Sequence, residues 1–128
     1  MAYSKKSYVE HAAIRVRDIH WHIRFFRDVL GMTLREVQGP DQAPTQVWTI
    51  GGFQLISDPD FEGPEGQLSH IGVMTEDLDA ALKEAASWGV TELPQGPNWL
   101  RLPGGLCIEV IQASGPAVTQ ALAINPRA

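Results

Sequence analysis

Residues 11–19 read HAAIRVRDI, and residues 70–78 read HIGVMTEDL. Aligned on His11 and His70, the two stretches are offset by 59 positions. Each then has a branched apolar residue three positions later, an aspartate seven positions later and an aliphatic residue eight positions later. Because matches at a constant offset indicate internal duplication, the chain is predicted to contain two copies of one structural unit.

The first copy is predicted to be a strand, a helix and three further strands. Residues 7–16 alternate as in a strand, and Asp18 is a suitable N-cap for a helix. Apolar residues then recur at helical spacing until Gly31, which is expected to end the helix. The three short strands that follow are expected over residues 33–38, 45–50 and 52–57.

The second copy gives the same order of elements. A strand is expected over residues 68–74, and a helix is expected from Asp77 to about Trp88. Its three later strands are expected over residues 91–94, 97–102 and 105–112. The predicted fold class is therefore α+β, with two βαβββ modules forming a cupped mixed sheet that carries its helices on the outer face.

A single domain is expected for a chain of 128 residues, 44% of them hydrophobic. Its expected parts are module 1 (about 7–57), an acidic, turn-rich linker (58–67), module 2 (about 68–112) and a tail (113–128).

Composition narrows the possible partners and the location. A net charge of -5 argues against a nucleic-acid surface, so a small-molecule substrate is expected. A single cysteine, Cys107, is more typical of a protein in the reducing cytoplasm than of a secreted protein that disulfides stabilise. No apolar run approaches the roughly 18 residues that span a bilayer. We therefore expect a cytoplasmic protein that is not bound to a membrane.

Strand alternation places four polar residues on the concave face of the predicted sheet. In the first strand, Ile14 and Val16 must face the helices, which leaves His11 and Arg15 on the opposite face. The same reasoning applied to the other strands gives the full set of predicted ligands, His11, Gln54, His70 and Glu109. Imidazole, carboxylate and amide oxygen groups suit a divalent ion such as Ni, Zn, Mn or Fe.

Other residues allow two interpretations each. Trp48 and Trp99 can line an apolar pocket or pack in the core, and Arg101 can bind an anionic substrate group or lie on the surface. Cys107 shares the strand face of Glu109 and is expected to be buried. Residues 20–22, which read HWH, are expected to form a solvated helix face.

These residues resemble the vicinal oxygen chelate superfamily. The resemblance spans about residues 8–112 and is carried by Glu10–Asp18, Phe25–Met32, Ser69–Val73 and Leu106–Val110. It implies the paired βαβββ fold of a glyoxalase-like domain. It also implies that one metal ion is held by the first and last strands of each module, at His11, Gln54, His70 and Glu109.

Individual members of the superfamily match only in part. Glyoxalase I usually has a glutamate at the place of Gln54, although Arg15 matches its glutathione-binding arginine. Methylmalonyl-CoA epimerase has a similar ligand set, but its base is a glutamate on the third strand, where residues 45–50 offer no carboxylate. In extradiol dioxygenases a tyrosine stands at the approximate place of Trp99.

The resemblance and the ligand set together favour a metal-dependent lyase or isomerase. Such an enzyme stabilises an enediolate while Glu109 transfers the proton, and Arg15, Trp48, Trp99 and Arg101 bind the substrate. The alternatives are a drug- or metabolite-sequestering protein of the bleomycin-resistance type and an extradiol-type dioxygenase. A homodimer is expected because modules of this size leave open sheet edges.

Overall fold

The computed structural model of the chain describes residues 3–124, within which there are eight strands and three α-helices. In chain order the elements are β1 (Ser7–Val16), α1 (Ile19–Arg24), a π-helical turn (Phe25–Val29), β2 (Leu34–Gln38), β3 (Gln46–Thr49), β4 (Phe53–Ser57), β5 (Leu68–Thr75), α2 (Leu78–Ala85), β6 (Thr91–Leu93), β7 (Gly96–Arg101), β8 (Cys107–Gln112) and α3 (Ala117–Leu122). The predicted α+β fold with two successive βαβββ units is confirmed.

Contacts divide the described chain into two compact units. The first unit is His11–His70, and the second consists of the described residues on either side of it. The boundaries cut β1 after Glu10 and β5 after His70. These two strands therefore each contribute residues to both units. The organisation as a single domain stays a prediction.

The first unit has the strand order β2-β3-β4-β1. β1 runs parallel to β4 with Ala13 opposite Gln54, whereas β3 is antiparallel to both of its neighbours. One face of these strands packs against α1. The core on that face contains Val16, Ile19, Val47 and Leu55, with Ile14, Ile23, Phe26, Leu34 and Phe53 packed around them. The predicted division of β1 into a helix side and an opposite side therefore agrees with the packing.

The second unit repeats this arrangement with the order β5-β8-β7-β6. β5 runs parallel to β8 with Gly72 opposite Glu109, and β7 is antiparallel to β8 and to β6. The segment before β1 belongs to this unit. The backbone N–H of Lys6 donates to Glu76, and the backbone N–H of Asp77 donates to the hydroxyl of Tyr3.

Equivalent aspartates begin the two main helices, as predicted. The Asp18 carboxylate accepts a hydrogen bond from the Trp21 N–H at 3.0 Å, and the Asp77 carboxylate accepts one from the Ala80 N–H at 3.1 Å. Each bond satisfies a donor that a helix start would otherwise leave unpaired. The residue type and its position in the repeat were sufficient to locate both helix starts.

The end of the first helix differs from the predicted regular α-helix. Residues Phe25–Val29 form a π-helical turn before Gly31 ends the helix at a φ of +68°. The wider turn lets Phe26 face inward, with its ring centroid 5.2 Å from that of Phe53. Phe25 faces outward and stacks on Trp21. Among the described residues, no helix is long and apolar enough to cross a membrane.

Candidate metal centre

Two buried histidines lie side by side in the first unit. His11 comes from β1 and His70 from β5, and each is less than a tenth exposed. Their Nε2 atoms are 3.1 Å apart, and the two rings meet edge to face. Two imidazole nitrogens directed at one point are suited to share a cation, because the neutral ring presents a lone pair at the nitrogen that carries no proton.

The surroundings of His70 favour its neutral form. Burial is the main cause that lowers the pKa of His70, and the charges of His11 and Arg15 lower it further, to about 4. At neutral pH the ring therefore carries no charge. Since only an unprotonated imidazole nitrogen can bind a metal, His70 needs no deprotonation before it acts as a ligand.

Gln54 presents an unsatisfied oxygen on the same unit. Its side chain is 3% exposed, and its amide nitrogen donates to Oε1 of Gln46 at 2.5 Å. Within the described part of the chain, the buried Oε1 of Gln54 has no hydrogen-bond partner. Leaving a buried acceptor unpaired costs about 1–3 kcal/mol, so a cation or donor at this oxygen would remove a penalty already present in the fold.

Gln46 is a residue that the sequence analysis missed. It lies on β3, on the same strand face as Trp48, and it fixes which end of the Gln54 amide is free. Alternation along β3 was the available signal, because Gln46 and Trp48 flank the buried core residue Val47. Its importance depends on a cross-strand contact, which the sequence pattern does not specify.

Glu109 lies in the second unit at the centre of three strands. It is opposite Gly72 on β5 and opposite Trp99 on β7. Gly72 has no side chain beyond its α-carbon, so it does not crowd the glutamate from that strand. Gly72 follows His70 by two positions on β5, and alternate residues of a strand share a face.

The predicted substrate-binding residues have different surroundings. Trp48 is the cross-strand partner of Gln54, just as Trp99 is the partner of Glu109. In both units a tryptophan thus stands beside the polar residue of the closing strand. Arg15 pairs with Asp58 at 3.2 Å, and Arg101 is exposed and lies opposite the half-buried Cys107.

The donor set fits a divalent cation. His11 and His70 are buried in one unit, which also holds the unsatisfied Gln54 oxygen, whereas Glu109, the predicted carboxylate ligand, belongs to the second unit. Two imidazoles with carboxylate and amide oxygens are ligands that first-row divalent ions accept.

The sequence matches the Glyoxalase/Bleomycin resistance protein/Dioxygenase superfamily over residues 8–100, and the chain belongs to this superfamily. It is 29% identical over 121 residues to the uncharacterized protein YwbC of Bacillus subtilis, an alignment that covers 81% of this chain and 96% of YwbC. The resemblance stated from the sequence is thereby confirmed.

Solved structures share the fold at low sequence identity. Methylmalonyl-CoA epimerase from Mycobacterium tuberculosis superposes with a TM-score of 0.62 at 22% identity, over 90% of this chain and 91% of the epimerase chain. The 2,3-dioxygenase LapB from Pseudomonas sp. KL28 gives a TM-score of 0.56 at 16% identity, over 84% of this chain and 42% of LapB. These neighbours include enzymes of two different reaction types.

Proposed function

We propose that the protein is a divalent-metal-dependent isomerase or lyase acting on a small oxygen-bearing substrate. His11, Gln54, His70 and Glu109 would hold the ion. The observation that carries this proposal is the buried, unpartnered oxygen of Gln54. Because Gln46 accepts a hydrogen bond from the Gln54 amide nitrogen, the Gln54 oxygen is the end of the amide that is left for an ion. The ion, when bound, would polarise a carbonyl or hydroxyl pair of the substrate and favour an enediolate.

Glu109 is assigned the proton transfer. It is the only carboxylate among the four proposed ligands, and an amide at the position of Gln54 cannot accept a proton in this way. A positioned general base contributes roughly 10²- to 10⁴-fold to the rate of such a step. The proton leaves a carbon adjacent to the substrate oxygens and returns to the same or the neighbouring carbon.

The remaining residues would position the substrate. Trp48 and Trp99 offer apolar ring faces beside the proposed ligands, and Arg15 offers a guanidinium held by Asp58. An apolar substrate that carries a carboxylate or similar anion matches these groups. Arg101, which is exposed, would contact a part of the substrate that extends into solvent. A cytoplasmic location stays a prediction.

Metal content tests the proposed site directly. The protein, reconstituted separately with Ni, Zn, Mn and Fe(II), is expected to retain about one ion per chain. His11→Ala and His70→Ala should lose that ion, whereas His20→Ala, which alters an exposed histidine of α1, should keep it. Elemental analysis that finds no ion under any of the four conditions would exclude the site.

The assignment of Glu109 is tested by exchange of a substrate C–H with solvent deuterium. Glu109→Gln should keep much of the metal through its amide oxygen while losing about 10²-fold or more in exchange rate. Gln54→Glu should retain or raise the rate, because it adds a second carboxylate. NMR on a panel of α-hydroxycarbonyl compounds and acyl thioesters measures the exchange. Metal-loaded Glu109→Gln exchanging at the parental rate would place the base elsewhere.

The second candidate is a protein that binds and sequesters a small ligand. The two tryptophans favour it, because Trp48 lies opposite Gln54 and Trp99 lies opposite Glu109. It predicts tight binding of an aromatic or apolar ligand without turnover. Tryptophan fluorescence titration in the presence of EDTA separates the two candidates, because the enzyme hypothesis requires the ion for productive binding.

A further inference from the structure

The strand that carries Glu109 presents three levels of side chains on the face away from the core of the second unit. Cys107, Glu109 and Ile111 alternate along β8, and each of them is half-buried. Val110 lies between two of them, is only 6% exposed and belongs to the core on the opposite face. Residues two apart on a strand are separated by about 6.5 to 7 Å, so three groups of one small molecule can contact the three levels.

The Cys107 level is cationic. Arg101 on β7 lies opposite Cys107, and its cross-strand neighbour on the other side is Thr91 of β6. Residues that lie opposite each other in a sheet present their side chains on the same face. Neither neighbour is acidic and Arg101 is exposed, so its guanidinium can pair with an anionic group of a ligand.

The Ile111 level, at the other side of Glu109, is apolar. Met74 on β5 lies opposite Ile111, and it is half-buried as well. The first unit shows that the fold does not require an apolar residue there. At the offset of 59 positions Arg15 corresponds to Met74, and Arg15 likewise lies opposite an isoleucine, Ile56. A methionine beside an isoleucine therefore makes this level suited to an alkyl group.

We propose that the three levels select an α-hydroxyketone that carries a carboxylate arm on its carbonyl carbon and a short alkyl arm on its carbinol carbon. This selectivity rests on the proposed function, in which Glu109 takes the proton from the carbinol carbon. The carboxylate pairs with Arg101, and the alkyl arm contacts Met74 and Ile111. A carboxyethyl arm places the carboxylate roughly 5 Å from the carbinol carbon, and the long arginine side chain spans the remaining distance between the levels.

The two arms also fix the direction in which the substrate binds. A ligand turned end for end would place its carboxylate against Met74 and Ile111, where an anion loses water without gaining a partner. Its alkyl arm would then meet the exposed Arg101 and stay in contact with solvent. Only one direction therefore satisfies both ends of the ligand.

Calorimetric titration with four hydroxyketones tests the selectivity, on the Zn-loaded protein and on the protein in EDTA. The first probe has a carboxyethyl arm and a propyl arm. The second has a carboxamide in place of the carboxylate, the third has a methyl group in place of the propyl group, and the fourth has both changes. The first probe should bind about tenfold more tightly than the second or the third, because each of these loses one contact. The arm contacts do not involve the ion, so the same ratios are expected in EDTA.

Matched variants assign each arm to its residue. Arg101→Gln should remove the preference for the carboxylate and keep the preference for propyl, whereas Met74→Gln should do the reverse. Arg24→Gln, which alters an exposed arginine of α1, and Met74→Leu, which keeps an apolar side chain, should retain both preferences. Circular dichroism establishes that each variant is folded.

Three results would overturn the proposal. The first is equal affinity of the parent protein for all four probes, and the second is no binding of any probe in either condition. The third is a carboxylate preference that survives Arg101→Gln, or a propyl preference that survives Met74→Gln. Affinity ratios need no turnover and are also measured in EDTA, so their failure is distinct from failure of the metal site or of proton transfer by Glu109.

Discussion

At the scale of single residues, the orientation of the Gln54 amide decides whether it can act as a ligand. The nitrogen and oxygen of a glutamine side chain occupy nearly the same space, and only their hydrogen bonds distinguish them. Here Gln46 accepts from the nitrogen, so the oxygen is the atom left free. Gln46, a neutral residue outside the proposed ligand set, thereby determines which atom of the proposed ligand Gln54 is free.

Loss of the Gln46 acceptor should weaken metal binding without removing any ligand. Gln46→Leu is expected to lower the affinity about 10- to 100-fold, as typical for residues that orient ligands, whereas Gln46→Glu retains an acceptor oxygen and should bind close to the parental affinity. Competition with a chromophoric chelator measures both. Gln42→Leu, on the exposed loop before β3, is the control, and equal affinities for the Gln46→Leu and Gln42→Leu variants would contradict the role.

The lowered pKa of His70 makes the stability of the metal-free protein depend on pH. The folded pKa is about 4 and the unfolded value is 6.5, so the unfolded chain binds more protons between these values. Stability should therefore fall as the pH is lowered from 7 through this window, by roughly 2 to 4 kcal/mol. Urea unfolding in EDTA at several pH values measures the loss.

His70→Asn supplies the comparison, because other acidic groups also titrate in this range. The variant should show a shallower decline than the parent between pH 6.5 and 4. Identical declines would mean that burial of His70 does not store this free energy. Metal loading should reduce the pH-dependent loss of stability of the parent protein, but only over the pH range in which the ion stays bound.

At the scale of secondary-structure elements, local signals predicted much of the fold. β1 has the predicted bounds, and Asp18 and Asp77 cap their helices because an N-cap depends on a few neighbouring residues. The π-helical turn at Phe25–Val29 was missed, because it depends on how Phe26 packs against a strand far along the chain. Its sequence has the ordinary spacing of an α-helix.

The same contrast holds for the candidate site. Alternation and the repeat predicted the faces of His11 and His70, and their close approach agrees with that prediction. The contact between Gln46 and Gln54 was not predictable, because it requires the register of two strands. The register of two strands depends on the geometry of the turn between them and on how their side chains pack. A single sequence predicts the turn geometry in part, and it does not predict the packing.

The loop between β2 and β3 contains a glycine whose backbone conformation is unfavourable for other residues. Gly39 has a φ of +89°, and a Cβ there would lie 2.8 Å from the backbone nitrogen of Thr45. Gly39→Ala should therefore lower the free energy of unfolding by about 1–3 kcal/mol. Gly104→Ala, where a Cβ meets open space and φ is not positive, should be close to neutral in thermal unfolding. If both substitutions shift the midpoint equally, steric conflict at Gly39 is not the cause.

At the scale of the whole molecule, the duplication has produced related halves with different surfaces. The two helices share the way they begin, yet the exposed Trp21 and Phe25 near the first correspond to Ala80 and Glu84 near the second. The second helix borders a cleft that Tyr3–Lys5 also line. The strand closing the first unit carries an amide, and the strand closing the second carries a carboxylate. The halves therefore share their strand order and helix starts, and they differ where side chains face solvent or the proposed ion.

The course of β1 makes the second unit depend on a segment that precedes the first unit in the chain. The segment ahead of His11 hydrogen-bonds to residues of the second unit, at Thr75, Glu76 and Asp77. If the chain is cleaved between Gly63 and Pro64, the N-terminal fragment keeps the segment ahead of His11, which belongs to the second unit. Two such fragments should remain poorly ordered apart and reassemble when mixed, because the segment that the second unit requires lies on the fragment that carries the first unit.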